Sequence, residues 1–326
     1  MPDNILVALF KKADRKTDPV GFSVKRCGSE NRTFSRLGEK NLTITVGHII
    51  DIMETIAPSS LTEEWDNVGL QLGHPSWPAN KVWVALDPSV ELVERGSANG
   101  VNLLITHHPL IFRPLSSVDP NVEPGRIVGL ALAKEVAIFC AHTNLDIADG
   151  GVSDMLAQKI GLGNVTPLSL RQKKASLYGK PANHPYSGDG GSRQPGLGRI
   201  GDLPQEISLE SLVQKIKEIF QLKTLKVAGD LRLRIKRVAI CSGSGASLVN
   251  AFLHSDAQVY VSGDLGYHEG RIVEARGRAL IDIGHFASEH IMVQGLVVRL
   301  KEAVSGKGYP VCVEAYTEEK DCFQYI

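Results

Sequence analysis

Val101-Asn-Leu-Leu-Ile-Thr106-His107-His108-Pro109 is an apolar strand that ends on two adjacent histidines and is stopped by a proline. Upstream, Lys81-Val-Trp-Val-Ala-Leu86 reads as a buried strand and is followed by a helix over about 89 to 98. Downstream come a helix over 125 to 135, the strand Val136-Ala-Ile-Phe-Cys140 and a helix over 152 to 160. Strands alternating with helices of this length predict a largely parallel sheet. Before them, Ile49, Ile50, Met53 and Ile56 fall at helical spacing from Val46 onward, and Pro58 ends that segment.

The rhythm stops over 171 to 205, where Gly179-Lys-Pro, Asn183-His-Pro, Gly188-Asp-Gly-Gly and Gln194-Pro-Gly crowd turn formers together. It resumes with a helix over 208 to 220, strand Arg237–Ile240, a turn at Cys241–Gly245, a helix over 246 to 253 and strand Gln258–Ser262. A helix over 267 to 276, strand Ala279–Ile283 and a long helix over 286 to 304 complete it. The expected fold is α/β: a first lobe over 44 to 170, a Gly/Pro-rich connecting loop over 171 to 205 and a second lobe over 206 to 326. The two similar lobes carry mainly parallel sheets that face a central metal-containing cleft. Residues 1 to 43 are polar and mildly basic without periodicity, and read as a flexible extension or a start assigned too far upstream.

Composition narrows the function. In 326 residues, 36 Lys and Arg balance 36 Asp and Glu, so no positive field favours nucleic acid or an anionic membrane. No stretch approaches the roughly 18 apolar residues of a membrane helix. The apolar run Ile5–Phe10 is followed by Lys11 and Lys12 rather than preceded by them, which argues against a signal peptide. Five scattered cysteines without a Cys-x-x-Cys pair argue against a disulfide framework or thiolate zinc site, and fit a reducing cytoplasm.

The polar residues at strand ends carry the chemistry. Pro109 halts its strand, so His107 and His108 can fan out from the tip and serve different metal ions. Asp146 follows the next strand in His142-Thr-Asn-Leu-Asp146; alone it would read as a helix cap. In His285-Phe-Ala-Ser-Glu289 the spacing of four puts an imidazole and a carboxylate on one helix face. Three imidazoles and two carboxylates without a thiolate suit zinc, iron or manganese. Five ligands would nearly saturate one ion, whereas two ions bridged by Glu289 keep positions open for water. His142, His268 and Glu269 are candidates for proton transfer beside the metals. Ser242-Gly-Ser-Gly245 offers backbone amides to a phosphate only weakly, and reads better as a tight turn.

Glu64-Trp-Asp-Asn-Val-Gly69, Thr106-His-His-Pro109, His142-Thr-Asn-Leu-Asp146, Ser242-Gly-Ser-Gly245, Ser262-Gly-Asp264 and His285-Phe-Ala-Ser-Glu289 together resemble the NIF-three-like family. Its members are labelled GTP cyclohydrolase 1 type 2 homologs. The resemblance, running from about residue 46 to 305, implies a two-lobed fold, a di-metal site in the cleft and a toroidal homohexamer. Its metal ligands fall on His107, His108, Asp146, His285 and Glu289. The function it implies is water attack on a purine nucleotide ring by a metal-dependent hydrolase. A non-enzymatic regulatory hexamer and a two-metal phosphoesterase acting on small phosphate esters are the alternatives.

Overall fold

The computed structural model describes residues 43–170 and 195–324. The expected extension, Thr43 apart, and positions 171–194 of the expected loop lie outside the described residues. The first helix of the described residues, α1 (Val46–Ile56), buries Val46, Ile49, Ile52, Met53 and Ile56, one stripe at helical spacing. It leads into β1 (Gly69–Leu72), β2 (Lys81–Ala85), α2 (Val90–Ala98), β3 (Leu103–Thr106), α3 (Gly125–Ala133), β4 (Ala137–Cys140), α4 (Thr143–Ile147), α5 (Val152–Ile160) and β5 (Gly163–Leu170). After the break follow β6 (Gly196–Ser208), α6 (Leu209–Phe220), β7 (Lys226–Ala228), β8 (Arg234–Ser244) and α7 (Val249–His254). The chain continues through β9 (Val259–Gly263), α8 (Tyr267–Ala275), β10 (Ala279–Asp282), α9 (His285–Glu289), α10 (Ile291–Gly306) and β11 (Cys312–Ala315).

These strands form two sheets, ordered β1-β4-β3-β2-β11 and β5-β6-β8-β9-β10-β7. In the first sheet β4, β3, β2 and β11 run parallel, and β1 is antiparallel at the edge. In the second, β8, β9 and β10 form a parallel centre, with β6 and β7 antiparallel beside it. Alternate residues of the first sheet point to opposite faces. Val82, Val84, Leu103, Ile105 and Phe139 join a core with α1 and α10, and Trp83, Ala85, Leu104 and Ile138 join another with α2 and α3. With both faces covered, no polar alternation is needed, which is why these strands read as continuous apolar runs.

Sheet membership does not follow the expected lobe boundaries. β5, placed by sequence in the first lobe, is an edge strand of the second sheet, and β6 begins inside the expected connecting loop. β11 returns from the far end of the chain to pair with β2, and α10 buries Met292, Val293, Leu296 and Leu300 in the first core. β8 also runs on through Ser244, across the turn expected at 241 to 245. For the edge strands the physical reason is shared. Edge strands such as β1, β5, β7 and β11 are short or only half covered, and an edge tolerates Pro167, so they lack the apolar signature of a central strand.

Among the described residues no helix is long and apolar enough to cross a membrane. The described residues form one compact unit, and the carboxyl ends of β3 and β4 in one sheet and of β9 and β10 in the other carry the polar residues singled out above. Because Leu300 is fully buried in the first core, Leu300→Ala should destabilise the protein by about 2–5 kcal/mol. A urea midpoint unchanged from wild type would show that α10 does not hold the first sheet.

Candidate metal centre

Strand ends set where the imidazoles start, and hydrogen bonds at Nδ1 set where they point. His107, fully buried just past β3, donates from Nδ1 to the Ala141 carbonyl at 2.9 Å. His108 donates to Asp87 Oδ1 at 2.7 Å, His142 to Asp66 Oδ1 at 2.9 Å and His285 to Asp264 Oδ2 at 2.7 Å. Each acceptor is a carbonyl or a carboxylate, so each Nδ1 carries the hydrogen and each neutral ring keeps its lone pair on Nε2.

Those Nε2 atoms converge on one carboxylate. Glu289 Oε2 lies 2.9 Å from Nε2 of both His108 and His285, and the two nitrogens are 3.3 Å apart. On the other side, His107 Nε2 is 3.5 Å from Glu289 Oε1 and 3.8 Å from Asp146 Oδ1. Three sets of donors stand close enough to hold a metal ion: His108, His285 and Glu289; His107, Asp146 and Glu289; and His107, His108 and His142.

The donors fit such an ion. His107 Nε2 is buried with no hydrogen-bond partner, a state native proteins seldom leave unexplained. Nitrogen and oxygen donors without sulfur are the borderline set of zinc, iron and manganese. Donors at 2.0–2.2 Å from one ion stand about 3–3.5 Å from each other, close to the spacings among His108, His285 and Glu289. The backbone makes room as well: Gly243 sits at φ +62° at the end of β8, where a Cβ would collide with the Glu289 carboxylate. Its amide donates to Ser288 Oγ at 2.9 Å, and Gly245 N donates to the Gly263 carbonyl at 3.3 Å. The Gly243 and Gly245 amides are thus spent inside the fold rather than offered to a phosphate.

Crowding acid and base together moves their proton affinities. Burial disfavours the His108 cation, but its hydrogen bonds to Asp87 and Glu289 outweigh that and raise its pKa to about 10. The Glu289 hydrogen bond, against burial, raises His285 to about 9. Burial pushes Glu289 upward, yet His107, His108 and His285 hold it well below the ordinary carboxylate value. Asp146 is raised, chiefly by burial. In Asp66, burial is overcome by hydrogen bonds from His142 and Thr143, leaving a pKa of about 2.

Of the residues expected from sequence, the structure brings His107, His108, Asp146, His285 and Glu289 together and adds His142 beside them. It leaves out His268 and Glu269. Both lie on α8, where His268 is exposed with its ring against Tyr267, and the Glu269 carboxylate lies over Gly266 at the start of its own helix. The helix begins only at Tyr267, and Asp264, still on the turn before it, reaches His285 instead. Asp66 and Asp87 were not expected as partners of the histidines, and Asp264 was expected only as part of the segment 262–269 beside the metals. They stand 76, 21 and 21 residues from them, spacings without any local signal. Glu319, beyond β11, was missed for the same reason: its carboxylate accepts from the amides of Leu86 and Asp87 at 2.9 Å and so fixes the loop that aims His108.

The family model for Duf34/NIF3 (NGG1p interacting factor 3) matches residues 44–321. The chain belongs to the Duf34/NIF3 family. A Clostridium perfringens protein named GTP cyclohydrolase 1 type 2 homolog is 31% identical over 279 residues, covering 85% of this chain and 98% of that protein. A Lactococcus lactis protein of the same name is 34% identical over 252 residues, covering 76% and 88%. The crystal structure of a Bacillus cereus protein related to NIF3 superposes with a TM-score of 0.78 at 26% identity, covering 86% of this chain and 99% of that one. Every residue of the cluster lies within the Duf34/NIF3 match.

Two outcomes are expected. Asp87→Asn and Asp264→Asn, which loosen the aim of His108 and His285, should weaken metal binding about 10–100-fold, while His268→Ala and Glu269→Ala leave it unchanged, as read by competitive chelator titration. In the metal-free protein the raised pKa values of His108 and His285 stabilise the fold fully below pH 6.5, and that stability is lost as pH rises through about 9 to about 10. Thermal unfolding with a chelator present should show this decline, and a flat profile over that window would contradict it.

Proposed function

We propose that this chain is a hydrolase that uses two divalent ions, held by His107, His108, Asp146, His285 and Glu289, to open a purine nucleotide ring. The observation that carries the reading is the pair of donor sets meeting at Glu289: Oε2 faces His108 and His285, and Oε1 faces His107 and Asp146. A carboxylate presented this way suits a bridge between two ions. Ions held there supply Lewis acidity that makes water nucleophilic near neutral pH and offsets developing charge. The relatives named GTP cyclohydrolase 1 type 2 homologs support the nucleotide as substrate.

The protein's own groups divide the remaining work. Nδ1 hydrogen bonds to Asp87, Asp264 and the Ala141 carbonyl keep the ligand nitrogens in the binding tautomer. Of the histidines expected to move protons, His142 is the one at the cluster. Anchored by Asp66 and partly open at 17% side-chain exposure, it is placed to hold a proton on Nε2 for a leaving ring nitrogen. Burial of Glu289 and His107 keeps bulk water from the bridging side. We place the working unit in a homohexamer, as the family resemblance implies.

Metal content by mass spectrometry, measured with GTP ring-opening and phosphate-release assays on the same samples, tests the proposal. Wild type should hold about two ions per chain, and His108→Ala and Glu289→Ala should lose metal together with ring opening. Release of phosphate without ring opening would replace the reaction by phosphoester hydrolysis. Full metal without either product would leave a regulatory metal protein, and wild type without metal would overturn the reading.

A further inference from the structure

Beside the cluster, two aromatic side chains face solvent: Trp65 is 60% exposed and Phe112 43%. They line a cleft of about 530 Å³ together with Arg113 and Pro114. The cleft is open to solvent, so a ligand would lie against these side chains rather than be enclosed by them. The Trp65 ring lies 6.0 Å from Phe112, inclined at 63°, and 6.2 Å from His142, inclined at 80°. The cleft therefore borders the donor cluster at His142.

The rings are held in place by their neighbours. Asp66, next to Trp65, accepts from the backbone amide and hydroxyl of Thr143 as well as from His142. Asn67 donates to the Ile111 carbonyl, and Gln71 Oε1 accepts from the Ile111 amide at 2.8 Å, so the segment bearing Trp65 is tied to the one bearing Phe112. Exposed indole and phenyl faces forgo the burial that ordinarily places such rings in a core. Two of them fixed beside a polar cluster make a preorganised stacking surface. Arg113 is exposed at the same cleft, and among the described residues its guanidinium makes no hydrogen bond or ion pair, so a planar cationic fork is available to an anion.

We propose that Trp65, Phe112 and Arg113 form the subsite that recognises the substrate: a planar heteroaromatic ring stacks on Trp65 with Phe112 as the second wall, and Arg113 takes a phosphate joined to it. This deepens the hydrolase reading and rests on it for the orientation of the ring towards His142. Stacking on an aromatic face tolerates many rings because each offers a π-face. Contact with the cluster, rather than the stack itself, then selects the reacting atom.

Calorimetric titration of the full chain, metal-loaded and chelator-treated, with GTP, guanosine and tripolyphosphate as probes, tests the subsite apart from turnover. Trp65→Ala should weaken GTP and guanosine binding roughly tenfold or more in both forms, leave tripolyphosphate binding unchanged, and be largely rescued by Trp65→Phe. Arg113→Ala should weaken GTP and tripolyphosphate but not guanosine. Thermal melts check that each variant is folded, as expected for exposed side chains. The proposal is overturned if GTP and guanosine bind no better than tripolyphosphate, or if Trp65→Ala shifts the sedimentation of the assembly while nucleotide affinity is intact, which would make the patch a subunit contact. Intact metal with no effect of Trp65→Ala removes the subsite alone. A wild type without metal but with Trp65-dependent nucleotide affinity removes the hydrolase reading and keeps the subsite.

Discussion

Burying the carboxylate of Glu289 is the constraint on which the rest of the site depends. Its side chain is only 4% exposed, and an isolated charge in that position would cost far more than a fold can spare. His107, His108 and His285 surround it, and each is held from behind at Nδ1, so none can turn away without losing that hydrogen bond. The helix that carries Glu289 is one turn long, and Gly243 must lack a side chain for the carboxylate to fit. Breaking one member of such a network leaves the others buried and unpaired.

Two sheets are needed to assemble this arrangement. The first supplies Asp87, His107, His108, His142 and Asp146 from the ends of β2, β3 and β4, and the second supplies Asp264, His285 and Glu289 from the ends of β9 and β10. Ser242 Oγ donates to Asp146 Oδ1 at 3.0 Å, tying the end of β8 to the first group. The crossing of β11 and α10 into the first sheet and of β5 into the second locks the halves together. The spacing between His108 and His285 is therefore set by packed cores rather than by a loop.

Legibility followed the range of the interaction that creates each feature. The central strands and amphipathic helices were readable because their periodicity is local and strong, and the His-His-Pro and His-x-x-x-Glu pairs because strand ends and helix turns fix neighbours within a few residues. β1, β5, β7 and β11 were not, since an edge strand is defined by a distant partner. His268 and Glu269 looked equivalent to Asp264 along the chain. Only the turn after β9 separates them, placing Asp264 on His285 and His268 at the surface.

By itself the sequence determined the α/β class, the parallel central strands and the identity of the ligand-type residues, because burial pattern and donor chemistry are written residue by residue. Tertiary structure alone decided which aspartates aim the histidines, that Glu319 braces the Asp87 loop, that His142 rather than His268 or Glu269 stands at the cluster, and that Trp65 meets Phe112 beside it. Each of these joins groups brought together by sheet packing, and no local pattern encodes a distance across a fold.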